Sequence, residues 1–142
     1  MLKSFAIILV VLFAVNLNAQ DYKITTDEKT GEPLILGYCP ISEMNDSVFA
    51  GAWSDEYNSY HPDSLVLDSL KDKLDDINIT IVFRSTCGDS REQVPRFFKI
   101  LNELNYPLNK LTLIGVDRDK KDLSGEADKL DIELVPTFIF YK

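Results

Sequence analysis

Two rhythms of hydrophobic residues organise the second half of the chain. Ile77 to Phe83 and Leu111 to Val116 are nearly continuous apolar runs rich in β-branched residues, the pattern of strands covered on both faces, as in a parallel sheet with helices on either side. Between them Val94, Phe97, Phe98, Leu101 and Leu104 recur at helical spacing until Pro107 stops the helix. Ser124 to Leu130 predicts a short helix with Ala127 and Leu130 inward, and Thr137 to Tyr141 a last strand. Strand, helix, strand, helix, strand, with connections long enough for crossovers, predicts an α/β sheet.

The first half is less regular. The polar run 21–33 reads as an exposed leader ending at Pro33, followed by a short strand over Leu34, Ile35 and Leu36 and a turn at Cys39-Pro40. A helix is expected from Asn45, with Phe49, Ala52, Trp53 and Tyr57 forming an aromatic face on the core. A second helix, capped by Asp63 or Ser64, should run to Asp75 with Leu67, Leu70 and Leu74 on one side.

The N-terminus follows another logic. Lys3, the apolar span Phe5 to Leu17 and the small-residue site Asn18-Ala19-Gln20 read as a secretory signal cleaved near Ala19. That span is shorter than the roughly 18 apolar residues a membrane helix requires. The expected product is exported, periplasmic or extracellular, and free of the membrane after cleavage. The organisation this implies is a signal at 1–19, an N-terminal extension with a helix at 20–62, and an α/β domain at 63–142.

Composition narrows the function. A chain of 142 residues, 45% hydrophobic and 27% charged, suits one globular core, and its net charge of −8 repels phosphate backbones. A nucleic-acid partner is therefore not expected. Cys39, His61 and Cys87 are too scattered for a structural zinc site, and His61, beside Pro62 in a turn, reads as a solvated ring. Two cysteines in an oxidising compartment leave three possibilities: they pair, stay reactive, or are simply buried.

Cys87 is the candidate for chemistry. It follows a buried strand and precedes an amphipathic helix, and a cysteine at a helix N-terminus is favoured as thiolate by unpaired N–H groups and the helix dipole. Arg84 and Arg91 would favour the thiolate as well, whereas Asp89 would oppose it.

The stretch Thr80-Ile-Val-Phe-Arg-Ser-Thr-Cys87-Gly-Asp-Ser90, with Pro95 in the helix behind it and Val135-Pro136-Thr137 downstream, resembles the thioredoxin family, whose active-site pattern is Trp-Cys-Gly-Pro-Cys. The resemblance covers roughly Leu65 to Lys142. It implies a three-layer thioredoxin-like fold and a thiol-disulfide oxidoreductase that forms a mixed disulfide at Cys87, with Ser90 in the second catalytic position. Val135, Pro136 and Thr137 would seat the substrate, Pro136 as a cis-proline facing Cys87. No cofactor is implied. The partners would be protein thiols or disulfides, with a small thiol as a further reactant.

Four departures from the family pattern bear on this expectation. Thr86 replaces the usual Trp, Ile81 stands where the family keeps a buried acid, and Ser90 replaces the resolving cysteine. The chain also stops at Tyr141-Lys142, where the family continues through a hairpin strand and a last helix, so a longer native chain is expected. A hydroxyl cannot attack a mixed disulfide. Release then needs another thiol: a small molecule, the partner, or Cys39. A strand over 34–37 would lie two strands from the one ending at Cys87, about 10 Å away, so a Cys39–Cys87 bridge requires the turn after Gly37 to fold inward. The alternative is a binding or chaperone-like module that keeps the fold without the redox chemistry.

Overall fold

A computed structural model describes residues 21–142; the predicted signal segment lies outside them. The chain is a mixed α/β fold built on one five-stranded sheet. Its elements are β1 (Tyr22–Thr26), β2 (Pro33–Tyr38), α1 (Ala52–Ser59), α2 (Ser64–Leu70), β3 (Asn78–Phe83), α3 (Gly88–Glu103), β4 (Leu111–Gly115) and β5 (Thr137–Tyr141), with single 3-10 turns at Ile41–Glu43, Leu108–Lys110 and Ala127–Leu130.

The sheet order is β1-β2-β4-β3-β5. Among the described residues only β3 and β4 run parallel, with Ile81 opposite Leu113 and Phe83 opposite Gly115. β5 lies antiparallel to β3, pairing Val82 with Thr137, and β2 lies antiparallel to β4 through Gly37 and Tyr38. The sheet is thus mixed where the apolar runs suggested a parallel one. Periodicity reports how well a strand is covered and carries no direction. β3 is central, and every residue from Ile79 to Phe83 is buried, which accounts for its unbroken apolar character.

Residues 21–33 are largely exposed, as expected, but they form a strand and its hairpin loop and not a leader. β1 pairs with β2 from Tyr22 opposite Gly37 to Thr26 opposite Pro33, and the loop between them closes through Asp27 N–H to Glu32 O at 2.9 Å and Gly31 N–H to Asp27 O at 2.8 Å. Residues 21–62 join the same sheet and core. Their two strands extend the sheet, and their helix α1 packs against α3.

The two faces of the sheet bury different residues. On one, Ile35, Ile79, Ile81 and Phe83 meet Val94, Phe98 and Leu101 of α3 together with Phe49. Phe49 stacks on Phe83 with centroids 5.9 Å apart and meets Trp53 edge-on at 5.3 Å, and Trp53 meets Phe98 at 5.1 Å. Phe49, just before α1, is thus core, and Trp53 and Tyr57 of α1 pack against it partly buried, each such ring pair adding about 0.5–1.5 kcal/mol beyond burial. On the other face Val82, Ile114 and Val116 meet Ala127, with Leu130, Ile132, Val135 and Ile139 packed around them. Phe138 and Phe140 of β5 contact Phe97 of α3 with ring centroids 4.5 and 6.2 Å apart.

Two helices are shorter than expected. α1 begins at Ala52 and not at Asn45, because Gly51 takes a left-handed backbone (φ 83°) that breaks the run. α2 is capped as predicted, the Asp63 carboxylate accepting from the Leu65 and Val66 N–H groups, but it ends at Leu70, and Asp72 is left-handed (φ 66°). Two glycines are required by packing: a Cβ on Gly115 would stand 2.5 Å from the carbonyl oxygen of Ile35, where β2 lies against β4, and one on Gly37 would stand 2.2 Å from the carbonyl oxygen of Asp21.

Candidate functional site

Cys87 is the N-cap of α3. Its backbone is extended (φ −92°, ψ 130°), its N–H donates to Arg84 O at 2.9 Å, and its carbonyl accepts from Arg91 N–H at 3.0 Å, starting the helix. The thiol makes no capping bond and is half-buried. It reaches across to the segment before β5, where Cys87 Sγ donates to Val135 O at 3.7 Å. The Val135–Pro136 peptide is cis. Cys87 and Pro136, far apart in sequence, are thus brought together at the end of the sheet where β3 hands over to α3, with Val135 and Pro136 half-buried beside the sulfur. Thr137 turns its hydroxyl back to Leu134 O at 2.7 Å, and Leu134 stands out into solvent.

Ser90, one turn along α3, is fully buried and faces away from solvent chemistry: its Oγ accepts from Arg84 N–H at 3.3 Å. It braces the turn that carries Cys87. Asp89 is exposed in the first turn of α3. Arg91 is engaged by other groups. Its Nε donates to Ser85 O at 2.8 Å, and its guanidinium is paired with Glu32 at 2.9 Å, which holds the Glu32 carboxyl below the usual range. Arg84 is half-buried, and its Nε has no hydrogen-bond partner among the described residues.

Cys39 is not a second thiol for this site. β2 runs antiparallel to β4, and Cys39 N–H donates to Leu113 O at 2.9 Å, which places Cys39 level with Leu113 and hence with Ile81, receding from Cys87. The two intervening strand steps alone are about 10 Å, beyond the roughly 7 Å that a disulfide tolerates between Cα atoms. Both cysteines are free. Burial, with the Glu43 carboxylate adding to it, pushes the Cys39 thiol up to about 12, so it stays protonated at neutral pH.

The residues that hold the turn were not found from sequence. Ser85 is fully buried and bridges to β2: its hydroxyl donates to Pro33 O at 2.9 Å and accepts from Ile35 N–H at 3.2 Å. Thr86, next to Cys87, donates its hydroxyl to Asp27 Oδ2 at 2.9 Å. The other oxygen of Asp27 accepts from Lys29 N–H at 2.9 Å, Thr30 N–H at 3.1 Å and Arg118 Nη2 at 3.0 Å. Burial alone would raise the Asp27 carboxyl, but Arg118, the Lys29 N–H, Thr86 and the Thr30 N–H outweigh it and hold the group far below the usual carboxylate range. The signal for this loop was present. Asp27-Glu-Lys-Thr30-Gly31 between Ile24-Thr25-Thr26 and Leu34-Ile35-Leu36 has the turn residues of a hairpin.

No protein-family model, curated protein or solved structure compared with the chain matches it.

Proposed function

We propose that the protein is an exported thiol-disulfide oxidoreductase of thioredoxin-like type, acting through a mixed disulfide at Cys87. The observation that carries this reading is the 3.7 Å approach of Cys87 Sγ, at the N-terminus of a 16-residue helix, to the carbonyl oxygen preceding a cis-proline. A sulfur there is half-exposed, lies beside backbone that an extended partner can pair with, and sits at the positive end of a helix dipole. The proposed three-layer architecture rests on the same succession of β3, α3, β4 and β5 around that sulfur. Export rests on the composition of the first nineteen residues.

The chemistry is monothiol. The Cys87 thiolate attacks one sulfur of a partner disulfide, forming an S–S bond to it while the other partner sulfur leaves as thiolate and takes a proton from water. A low-molecular-weight thiol then attacks Sγ of the mixed disulfide, freeing the partner's second thiol, and a second equivalent regenerates Cys87. Two electrons pass from two small thiols to one partner disulfide. Ser90 cannot substitute for the external thiol, and Cys39 is buried, protonated and out of reach.

A second reading, a binding or chaperone-like module without redox turnover, is favoured by the burial of Ser90 and by apolar Ile81 inside the core. Insulin reduction with added glutathione separates the two. The oxidoreductase reading requires turnover that Cys87→Ser abolishes; absence of turnover in the wild-type chain leaves the binding module.

A further inference from the structure

The β1–β2 hairpin grips the turn that carries Cys87 at several points. Thr86 hydroxyl meets Asp27 Oδ2, Arg118 from the loop after β4 meets Asp27 Oδ1, Arg91 of α3 meets Glu32, and Ser85 hydroxyl meets the Pro33 carbonyl. Asp27 is the centre of this set. It is 2% exposed, lies on the loop joining two strands at the sheet edge, and gathers four donors from three parts of the chain. Nothing in hairpin formation requires such burial, since the two backbone N–H groups it caps, Lys29 and Thr30, are exposed residues.

We propose that Asp27 is a positioning residue for the reaction at Cys87: through the Thr86 hydroxyl, and backed by Arg118, it fixes the strand-to-helix turn so that the sulfur stays at the N-terminus of α3 beside Val135. The proposal rests on the reading of Cys87 as the reacting thiol. Asp27 does not touch the sulfur, and its own negative charge works against a thiolate. Position and charge therefore make opposite predictions. The charged groups around the turn are Arg84, Asp89 and Arg91 from its own strand and helix, Asp27 and Glu32 from the hairpin, and Arg118 from the loop after β4. Replacing Thr86 by valine changes none of these charges, whereas Asp27→Asn removes one.

The test uses the full chain with Thr86→Val, Thr86→Ser and Asp27→Asn, following iodoacetamide alkylation of Cys87 by mass spectrometry at neutral pH, and amide exchange over residues 85–88. If Asp27 positions the turn, Thr86→Val and Asp27→Asn both react about two- to fivefold more slowly, the factor that corresponds to losing the ordinary helix N-terminal stabilisation of an anion. Exchange in the turn quickens in both, and Thr86→Ser, which keeps the hydroxyl, restores the wild-type values. Faster alkylation in Asp27→Asn, with Thr86→Val unchanged in rate and exchange, overturns the proposal and leaves Asp27 only a nearby charge. Should Asp27→Asn not fold, the valine and serine pair decides. A wild-type Cys87 no more reactive than free cysteine defeats the functional reading instead, and turn exchange in Thr86→Val then decides the positioning role alone.

Discussion

Replacing Ser85 with alanine removes one hydroxyl group that serves two positions of β2. The Ile35 N–H that donates to it belongs to a residue with no exposed surface, so water cannot take the hydroxyl's place, and an unsatisfied buried donor costs about 1–3 kcal/mol. Pro33 is exposed, and its carbonyl can be rehydrated, so losing that bond at 2.9 Å adds only about 0.5–1 kcal/mol. Ser85→Ala should therefore lower stability by about 1.5–4 kcal/mol. For a domain of this size that corresponds to a fall in Tm of roughly 10 °C. Urea unfolding followed by circular dichroism should show the midpoint move down at unchanged slope, since the surface exposed on unfolding is the same. A loss below about 0.5 kcal/mol would refute the reasoning, because it would mean that Ile35 N–H finds another acceptor and that the turn carrying Cys87 is not anchored to β2.

Other consequences can be measured on the same protein. Gly115→Ala places a Cβ against the Ile35 carbonyl and should destabilise by about 1–3 kcal/mol, the usual range for overpacking; an unchanged urea midpoint would contradict the close approach of β2 to β4 at this position. The Asp27 carboxyl is depressed by folding, so its contribution is fully present above its unfolded value of about 4 and is lost as pH falls toward the folded value. Urea midpoints should decline below about pH 4 in the wild type, and more shallowly in Asp27→Asn. Cys39 is raised by folding to about 12. Its contribution is present below its unfolded value of about 8.5 and is lost as pH rises toward the folded one, so Cys39→Ala should flatten the alkaline decline in stability. Ser90→Cys puts a second thiol one helical turn from Cys87. Under mild oxidation the introduced thiol should form a disulfide with Cys87, seen as a loss of two alkylation sites, and a chain that keeps both thiols free would show that the buried position cannot swing to the sulfur.

The parts legible in the sequence are those whose environment is uniform. β3 is buried along nearly its whole length, and α3 has one apolar stripe, so both write their surroundings into residue type. The Cys87 turn follows from their junction, and Val135-Pro136 is legible through resemblance and not through periodicity. β1 escapes notice because four of its five residues are exposed and only Tyr22 is partly covered, leaving no alternation to detect in an edge strand. Asp27 is invisible for another reason. A buried carboxylate depends on its cation, and Arg118 lies 91 residues away. Arg91 illustrates the converse: nearness in sequence to Cys87 says nothing of where the guanidinium points, and Glu32 and the Ser85 carbonyl claim it. Cys39 falls on the expected strand count from Cys87, but antiparallel β2 carries it toward the opposite end of the sheet.

The proposed chemistry requires Cys87 to be an activated nucleophile and Cys39 to be inert. Competitive alkylation of the native full chain with iodoacetamide at neutral pH, read site by site by mass spectrometry against free cysteine, addresses this directly. Modification of Cys87 faster than free cysteine, with Cys39 untouched until the chain is unfolded, is the predicted result. Cys87 labelling at or below the free-cysteine rate would contradict it.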